Sequence, residues 1–262
     1  KLMVAIGHQA ALAVEDTSYY SAMLQAERLA AIGQTIAGLS HHVKNILQGI
    51  RGGSFLIEEG LKAEDWEVTG KGWRIVEKNQ ERISSLVMDM LTFSKEREPE
   101  MIANDLNDVV GDVIELMQSR AQEAGVKIVD QRDPQIPTLT FDADGIHRAV
   151  LNVLTNAIDA CEKCENGRVV VRSEFCLEDQ VVQVIVSDNG EGISPEDTKR
   201  IFSVFESKKG SRGTGLGLPV SQKILHEHDG DILVESEPNA GSRFILRMPA
   251  VLPESETGEI QI

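Results

Sequence analysis

The sequence lacks several features that would mark particular protein classes. In its 262 residues no apolar run approaches the roughly 20 residues that span a bilayer, so no segment is expected to cross a membrane. Aromatic residues make up only 4%, and 26 Lys+Arg against 42 Asp+Glu leave a formal charge of −16. Because nucleic acids and anionic lipids are polyanions, this shortage of positive charge argues against both as partners.

Cysteine is also sparse, with only Cys161, Cys164 and Cys176 present. An odd, small set argues against a disulfide framework and for a reducing, cytoplasmic location. The Cys161-x-x-Cys164 spacing is shared by redox-active dithiols and half zinc sites, but no second pair completes a zinc site. The alternative interpretation is two small residues near a helix end.

What the sequence does contain is 41% hydrophobic and 26% charged residues, the balance of a globular protein with a sizeable core. The length exceeds that of one ordinary compact domain, so two domains are expected. A chain that begins with Lys1 rather than Met is also expected to be a fragment of something longer.

Two long helices are predicted in the first domain, residues 21–97. A heptad seam of apolar residues marks the first: Leu29, Ile32, Ile36, Leu39, Val43, Ile46 and Ile50. A polar, glycine-containing stretch from Lys62 to Gly72 breaks the pattern, and a second stripe follows: Ile83, Leu86, Val87, Met90 and Phe93. Because a lone helical hairpin leaves an apolar flank exposed, we expect two copies to pair into a four-helix bundle, which makes the protein a homodimer.

The second domain, residues 98–252, follows a charged segment broken by Pro99, and residues 253–262 form a polar tail. Short strands alternate with helices there, which predicts an α+β two-layer sandwich with helices on one face of a mixed sheet. The fold class is therefore multidomain, an all-α hairpin followed by an α+β sandwich. Predicted strands are 126–129, 139–141, 169–173, 181–187, 231–235 and 243–248, and predicted helices are 106–123, 143–163 and 216–228.

Three stretches of the second domain carry residues suited to nucleotide chemistry. On the helix from Ala143, Asn152, Asn156 and Asp159 recur at helical spacing, and amide oxygens suit hydrated Mg²⁺ beside phosphates. A strand ends in Asp188-Asn189-Gly190-Glu191-Gly192, whose carboxylate can accept from adenine while the glycines let the backbone pass close to the ring. Finally, Gly213-Thr214-Gly215-Leu216-Gly217-Leu218 opens a helix whose free amides suit a phosphate chain.

On the first helix, His41 falls at heptad position f and points away from the bundle core. His42 lies beside it, and Lys44 and Asn45 share its outer face. An exposed imidazole offered to a partner is one interpretation, and an ordinary solvated histidine is the other. The asparagine pair on the second-domain helix likewise has a plain alternative, the polar face of an amphipathic helix.

In this order and spacing, the three stretches resemble the N, G1 and G2 boxes of the Bergerat-type ATP-binding fold, which sensor histidine kinases share with gyrase-type ATPases. Ser40-His41-His42-Val43-Lys44-Asn45-Ile46-Leu47 resembles the phosphoacceptor box of histidine kinases. The resemblance runs from about Gln25 to Pro249. His8-Gln9-Ala10-Ala11-Leu12-Ala13-Val14-Glu15 is similar to the last helix of a GAF sensor domain, which implies that residues 1–20 are the end of an upstream sensor domain and a signalling helix.

The resemblance implies a protein-histidine autokinase of a two-component system. His41 would accept the γ-phosphoryl group of Mg-ATP and pass it to an aspartate on the receiver domain of a response regulator. His42 replaces the usual acidic base, and Asn45 resembles the residue that orients water for dephosphorylating the regulator. Asn156, helped by Asn152, would hold Mg²⁺, and ATP would contact Asn152, Asn156, Asp188, Gly190, Gly192, Ile193, Lys209, Arg212, Gly213, Thr214, Gly215, Leu216 and Gly217.

Two alternatives stay open, a gyrase-type ATPase and a catalytically silent dimeric scaffold. Gyrase-type enzymes carry a glutamate four residues before the metal-binding asparagine, where it activates water. Here that position is Asn152, which favours phosphoryl transfer to a side chain over hydrolysis.

Overall fold

The structure, a computed structural model, describes residue 40 and residues 42–94, 99–204 and 214–253, with the backbone alone described at residues 92–94. His41, Lys209, Arg212 and Gly213 therefore lie outside the described residues, as do the predicted seam before residue 40 and the predicted GAF-like segment. The chain divides into two units, Lys1–Ile83 and Ser84–Ile262. No helix among the residues just given has the length and apolar character that a membrane crossing requires.

Helices α1, residues 42–62, and α2, Trp66–Ser94, form the hairpin predicted from the heptad pattern. The expected break from Lys62 to Gly72 is wrong in extent, because the turn between the helices occupies only residues 63–65. Asp65 explains the early start of α2, since its carboxylate accepts from the backbone N–H groups of Glu67 and Val68 at 3.0 and 3.1 Å. This is an N-cap, which satisfies donors that the first helical turn leaves without partners.

The glycines in this stretch allow close helix packing rather than a loop. A Cβ atom placed on Gly72 would lie 2.6 Å from the carbonyl oxygen of Gly53, and one on Gly53 would lie 2.8 Å from that of Gly72. A Cβ on Gly60 would lie 2.5 Å from the hydroxyl of Thr69. Glycine therefore lets the two helix backbones approach closely within this unit. Tertiary packing outweighs the low helical propensity of glycine.

The second unit contains a five-stranded sheet in the order β2-β4-β5-β7-β6, in which only β2 and β4 pair in parallel. A separate antiparallel pair joins β1 to β3. The strands are β1 Ile102–Asn104, β2 Lys127–Arg132, β3 Leu139–Phe141, β4 Arg168–Cys176, β5 Val181–Asp188, β6 Asp231–Glu237 and β7 Gly241–Pro249. The helices are α3 Leu106–Glu123, α4 Ala143–Cys161, α5 Pro195–Thr198 and α6 Gly217–Glu227.

Alternation along the strands sets which face is covered. Val169 and Val171 of β4 are fully buried while Arg168 and Arg172 are exposed, the period of two expected for a half-buried strand. The buried stripe of α4, which includes Val153, packs into the same core. The predicted α+β sandwich is thus confirmed.

His228 ties the end of α6 to the start of α4. Its Nε2 accepts from the backbone N–H of Asp142 at 3.0 Å, so its Nδ1 carries the proton and donates to the carbonyl oxygen of Ile224 at 2.7 Å. The ring is buried, and Asp142 is the residue immediately before α4. The imidazole of His228 therefore helps to hold together the two helices that carry the predicted metal and phosphate residues.

Replacing His228 with alanine is expected to lower the free energy of unfolding by about 2 kcal/mol, because a buried N–H and a buried carbonyl both lose their partner. Urea unfolding followed by circular dichroism measures this change. His226→Ala is the matched control, since that exposed ring only pairs with Asp231 at the surface and its loss should change stability by less than about 0.5 kcal/mol. Equal effects of the two substitutions would contradict the assigned role of His228.

Candidate nucleotide site

Helix α4 connects the three predicted nucleotide-binding stretches. Near its middle, the Asn152 amide donates to the carbonyl oxygen of Gly217 at 3.1 Å and to the Ser221 hydroxyl at 3.2 Å, both on α6. At its end, the carbonyl oxygen of Ala160 accepts from the backbone N–H of Glu191 at 3.3 Å. Residues 152 and 160 are about 12 Å apart along a helix of this type. The G1 and G2 stretches therefore both contact the helix that carries the N stretch, G2 near its middle and G1 at its end.

Asp188 ends β5 with its two carboxylate oxygens in different settings. Its Oδ1 accepts from the backbone N–H groups of Gly190 and Ser242, at 2.8 and 3.3 Å. No donor among the described residues contacts Oδ2. Burial raises the pKa of this carboxyl above its usual value, and the two backbone donors only partly oppose the shift. The protein thus holds one carboxylate oxygen, and the other accepts no hydrogen bond from the described residues.

The glycines that follow Asp188 are required by contacts within the protein. A Cβ atom on Gly190 would lie 2.6 Å from the carbonyl oxygen of Ala160. Gly192 has φ of +66°, and a Cβ there would overlap the carbonyl oxygen of Glu237. The sequence suggests that these glycines make room for adenine. In the structure, protein backbone atoms occupy the space that a side chain at either position would need. Ile193 follows with its N–H bonded to the Ser236 hydroxyl at 2.8 Å and its side chain against the core.

Gly192→Ala is expected to destabilise the second unit by several kcal/mol, through a strained φ and a backbone overlap. Gly125→Ala is a matched control, because Gly125 has a similar φ of +69° but no heavy atom within 4 Å of the point that a Cβ would occupy. The control should therefore lose only about 1 kcal/mol, the strain alone. Thermal unfolding of both variants measures the difference, and similar losses would rule out the overlap as a cause.

The G2 stretch begins, within the described residues, at Thr214. Its hydroxyl accepts from the backbone N–H of Leu216 at 3.3 Å, Gly215 has φ of +65°, and Leu216 is buried. The first amides of a helix have no partner inside it, so the start of α6 at Gly217 offers donors to a phosphate group.

Thr214 also contacts a residue that sequence reasoning missed. Asp89, buried near the end of α2, accepts from the Thr214 hydroxyl at 3.5 Å and from Arg148 at 2.7 Å. Burial raises the pKa of Asp89 despite the opposing effect of the Arg148 guanidinium. The three residues are far apart in sequence, so no local pattern indicates that they meet.

The remaining predicted residues that the structure describes lie on α4 of the second unit and on α1 of the first. Asn156 is half-buried on α4, one turn beyond Asn152. His42 and Asn45 are half-buried on α1 in the first unit, and α1 continues without a break through Ile46. Asp159 forms a surface pair with Arg120 at 2.8 Å. No cluster of three or more His, Cys, Asp or Glu suited to a metal occurs within the described residues.

Comparison with known proteins agrees with this geometry. A family model described as "Histidine kinase-, DNA gyrase B-, and HSP90-like ATPase" matches residues 141–252. The chain is 32% identical to the signal transduction histidine-protein kinase AtoS of Escherichia coli over 87% of its own length and 36% of that protein. It spans between 36% and 49% of the length of several curated relatives that it matches.

A second relative and one solved structure extend the similarity over both units. The sensory histidine kinase/phosphatase NtrB of Rhodobacter capsulatus is 33% identical, with 92% of this chain and 68% of that protein covered. The crystal structure of histidine kinase ThkA in complex with response regulator protein TrrA matches with a TM-score of 0.64 and 27% identity, covering 86% of this chain and 64% of that one. The site geometry and these similarities together show that the chain belongs to the sensor histidine kinases.

Proposed function

We propose that the protein is an ATP-dependent protein-histidine autokinase, which transfers the γ-phosphoryl group of ATP to His41 and then to an aspartate on a response-regulator receiver domain. The observation that carries this proposal is the arrangement along α4, which joins the Asp188 turn to the first residues of α6 through Ala160 and Asn152. Adenine at one end and phosphates at the other would fit a triphosphate laid along this helix. The ATPase family match to residues 141–252 supports the same ligand.

Within this site, Asp188 would read adenine through the carboxylate oxygen that the protein leaves uncommitted. The phosphates would meet the amides at the start of α6 and a lid from about Ser194 to Thr214. Lys209 and Arg212, which lie outside the described residues, are the proposed cationic contacts of that lid. Their charge would offset the negative charge that develops on the β- and γ-phosphates.

Asn156, with help from Asn152, is proposed to hold Mg²⁺. The donor set fits the ion, because Mg²⁺ prefers hard oxygen ligands and takes few of them from protein. Asn152 donates through its amide nitrogen to Gly217 and Ser221, which orients its side chain and leaves the amide oxygen as the remaining ligand atom. The ion would supply neutralisation of phosphate charge.

His41 would attack the γ-phosphorus in line through an unprotonated Nε2, with ADP as the leaving group. His42 stands where an acidic base is usual in the family, and a neutral imidazole can serve as a general base. Transfer requires the catalytic domain to approach the acceptor histidine. Catalysis would thus depend on positioning the acceptor and stabilising the developing charge, the general pattern of phosphoryl transfer.

The acceptor aspartate is proposed to lie on a separate receiver domain that docks on the helical hairpin. The solved relative in complex with a response regulator supports a partner of this kind. The relative named as a kinase/phosphatase supports the further proposal that Asn45 orients water for dephosphorylating the regulator. The cysteines, all free thiols, fit the cytoplasmic location that this chemistry requires.

Homodimerisation through the hairpin is part of the proposal. Within the first unit, large apolar side chains on α1 and α2 are more than half exposed: Leu47, Phe55, Leu61, Trp66 and Trp73. Exposed apolar groups of this number on two adjacent helices favour burial against another surface. A second copy of the hairpin offers a matching surface and completes a four-helix bundle.

The autokinase and the gyrase-type ATPase differ in where the γ-phosphate goes. Incubating the chain with Mg²⁺ and ATP labelled at the γ-position should give a phosphoprotein whose label is lost in acid and retained in alkali, the behaviour of a phosphorus–nitrogen bond. Steady release of inorganic phosphate with no labelled protein would overturn the proposal in favour of the ATPase. Asn152, which orients toward α6 and replaces the water-activating glutamate, favours the first outcome.

A further inference from the structure

Two thiols outside the proposed catalytic chemistry contact the same residue of the nucleotide site. The Cys161 thiol donates to the side-chain oxygen of Asn189 at 3.4 Å, and the Cys164 thiol donates to the Asn189 carbonyl oxygen at 3.6 Å. Asn189 is the residue directly after Asp188. The Cys-x-x-Cys pair therefore lies immediately behind the turn that is proposed to read adenine.

Asn189 fastens this turn to the chain between α4 and β4. Its Oδ1 accepts from the backbone N–H of Arg168 at 2.7 Å, and its Nδ2 donates to the carbonyl oxygen of Asn166 at 2.8 Å. Its own backbone N–H donates to the carbonyl oxygen of Arg168 at 3.2 Å. A change in the position of Asn189 would thus be passed to Asp188 and to the α4–β4 connection together.

The two cysteines differ in access but are close in space. Cys161 is the last residue of α4 and is fully buried, whereas Cys164 is half-buried. The backbone N–H of Cys164 donates to the carbonyl oxygen of Cys161 at 2.9 Å, so the pair spans one tight turn. Residues three apart in such a turn have Cβ atoms about 5–6 Å apart. A disulfide requires roughly 3.8 Å, so a small backbone shift would bring the sulfur atoms into bonding distance.

We propose that Cys161 and Cys164 form a reversible disulfide that weakens nucleotide binding at the adjacent Asp188 turn, with a peroxide as the oxidant. The inference rests on the proposed function, since it assigns regulation to the same nucleotide site. A zinc site is the other chemistry of this spacing, but no further His, Cys, Asp or Glu completes a metal-binding group within the part of the chain that the structure describes. Disulfide formation, in contrast, needs no residue beyond the two cysteines, and the peroxide accepts the two electrons.

The oxidation proceeds in two balanced steps. The Cys164 thiolate attacks one oxygen of hydrogen peroxide, which gives a sulfenic acid and one molecule of water once protons are redistributed. The Cys161 sulfur then attacks the Cys164 sulfur, the sulfur–oxygen bond breaks, and the second water leaves with the proton of Cys161. Burial raises the pKa of the Cys161 thiol, so the more accessible Cys164 reacts with peroxide first.

The disulfide would disturb the site in two ways. Both sulfur–hydrogen donors to Asn189 disappear, because a disulfide sulfur carries no proton. The end of α4 must also move, and it contacts the turn directly, since Ala160 accepts from the N–H of Glu191 and leaves no room for a Cβ on Gly190. Losing one or two hydrogen bonds that position Asp188 is expected to raise the dissociation constant of a nucleotide by about tenfold.

The test compares the 262-residue chain before and after one equivalent of hydrogen peroxide, with the non-hydrolysable analogue AMPPNP and Mg²⁺ as the probe. Mass spectrometry after thiol alkylation should show one bridge between Cys161 and Cys164. Calorimetric titration should show the tenfold weaker binding, and dithiothreitol should restore it. Hydrogen exchange should show lower protection of the Arg168 and Asn189 amides in the oxidised chain, a readout that does not depend on nucleotide.

Variants separate the bridge from general oxidation damage. Cys164→Ser and Cys161→Ala should each show the same AMPPNP affinity before and after peroxide, whereas Cys176→Ser, a half-buried thiol outside the pair, should respond like the unaltered chain. Loss of affinity in the Cys164→Ser variant, or a bridge that forms without changing affinity or exchange, would overturn the inference. Failure of the reduced chain to bind AMPPNP would instead overturn the proposed nucleotide site, and the bridge and exchange measurements would still decide whether oxidation loosens the turn.

Discussion

In the His41→Gln variant, acid-labile labelling of the chain by Mg-ATP is expected to fall to the background of the assay. Glutamine is close to histidine in size and hydrogen-bonding capacity, but its amide nitrogen is not a nucleophile, so no phosphorus–nitrogen bond can form. Binding of AMPPNP should be unchanged, because the nucleotide-site residues belong to the second unit. Label incorporation and calorimetric titration measure the two properties separately.

His42→Gln is the matched control, since it makes the same chemical change on the neighbouring residue. If His42 accepts the proton, labelling should slow by about 10²-fold or more while its final extent stays the same. Label that survives His41→Gln and disappears in His42→Gln would move the acceptor to His42 and contradict the assignment. The time course, rather than the end point alone, distinguishes a lost base from a lost acceptor.

Mixed dimers of His41→Gln and Asn156→Ala chains test dimerisation and the geometry of transfer together. Neither variant alone should become labelled, because one lacks the acceptor and the other the proposed metal ligand. Label on the Asn156→Ala chain in the mixture would show transfer between protomers. A mixed dimer, isolated through two different affinity tags, that stays unlabelled would show transfer within one protomer.

Long periodic elements could be predicted closely from sequence. Helix α3, Leu106–Glu123, and strand β3, Leu139–Phe141, have the predicted bounds, because their apolar periods and capping residues are local signals. Strand β1 and helix α5 were not predicted, since three and four residues carry no period. The sequence predicts the start of α2 too late, because the polar stretch from Lys62 to Gly72 contains glycines, which have low helical propensity. The contact that favours glycine at position 72 comes from α1 and is invisible to local reasoning.

The candidate site shows the same division between local and tertiary information. The sequence indicates Asp188 and the two asparagines of α4, because each belongs to a motif with recognisable spacing. It does not indicate that Asn189, which directly follows Asp188, is held by Arg168, Asn166 and both thiols. Nor does it indicate that Asp89 lies against Thr214, since 125 residues separate them. Pairing across the fold, rather than residue type, assigns these roles.

Asp188→Asn is expected to reduce ATP affinity by about 100-fold while the fold is retained. Asparagine keeps the Oδ1 acceptor that bonds the N–H groups of Gly190 and Ser242. It replaces Oδ2, however, with an amide that donates toward the adenine amine, which is itself a donor. A lost charge-assisted bond together with two facing donors accounts for about 2.7 kcal/mol of binding free energy.

The matched control for nucleotide binding is Glu191→Gln, which removes the same charge from an exposed residue of the same turn. Its AMPPNP affinity should stay within about twofold of that of the unaltered chain, because long-range charge effects at an exposed position are screened by salt. Calorimetric titration of both variants provides the comparison. Equal losses would mean that Asp188 acts through its charge on the whole site and not by contact with adenine.

Stability should respond to Asp188→Asn in the opposite direction to affinity. Burial raises the pKa of Asp188, so the folded chain keeps this proton to a higher pH than the unfolded chain, whose pKa stays near 3.8. The penalty of burying the charge is therefore absent below the unfolded pKa, grows as pH rises toward the folded pKa, and is fully present above it. Urea unfolding at about pH 4.5 and about pH 7.5 should show a larger advantage of the asparagine variant at the higher pH. A carboxylate that binds adenine from a buried site lowers the stability of the free protein, because its charge is buried. A variant that binds ATP poorly and is also less stable at neutral pH would therefore show that the carboxylate stabilises the fold instead.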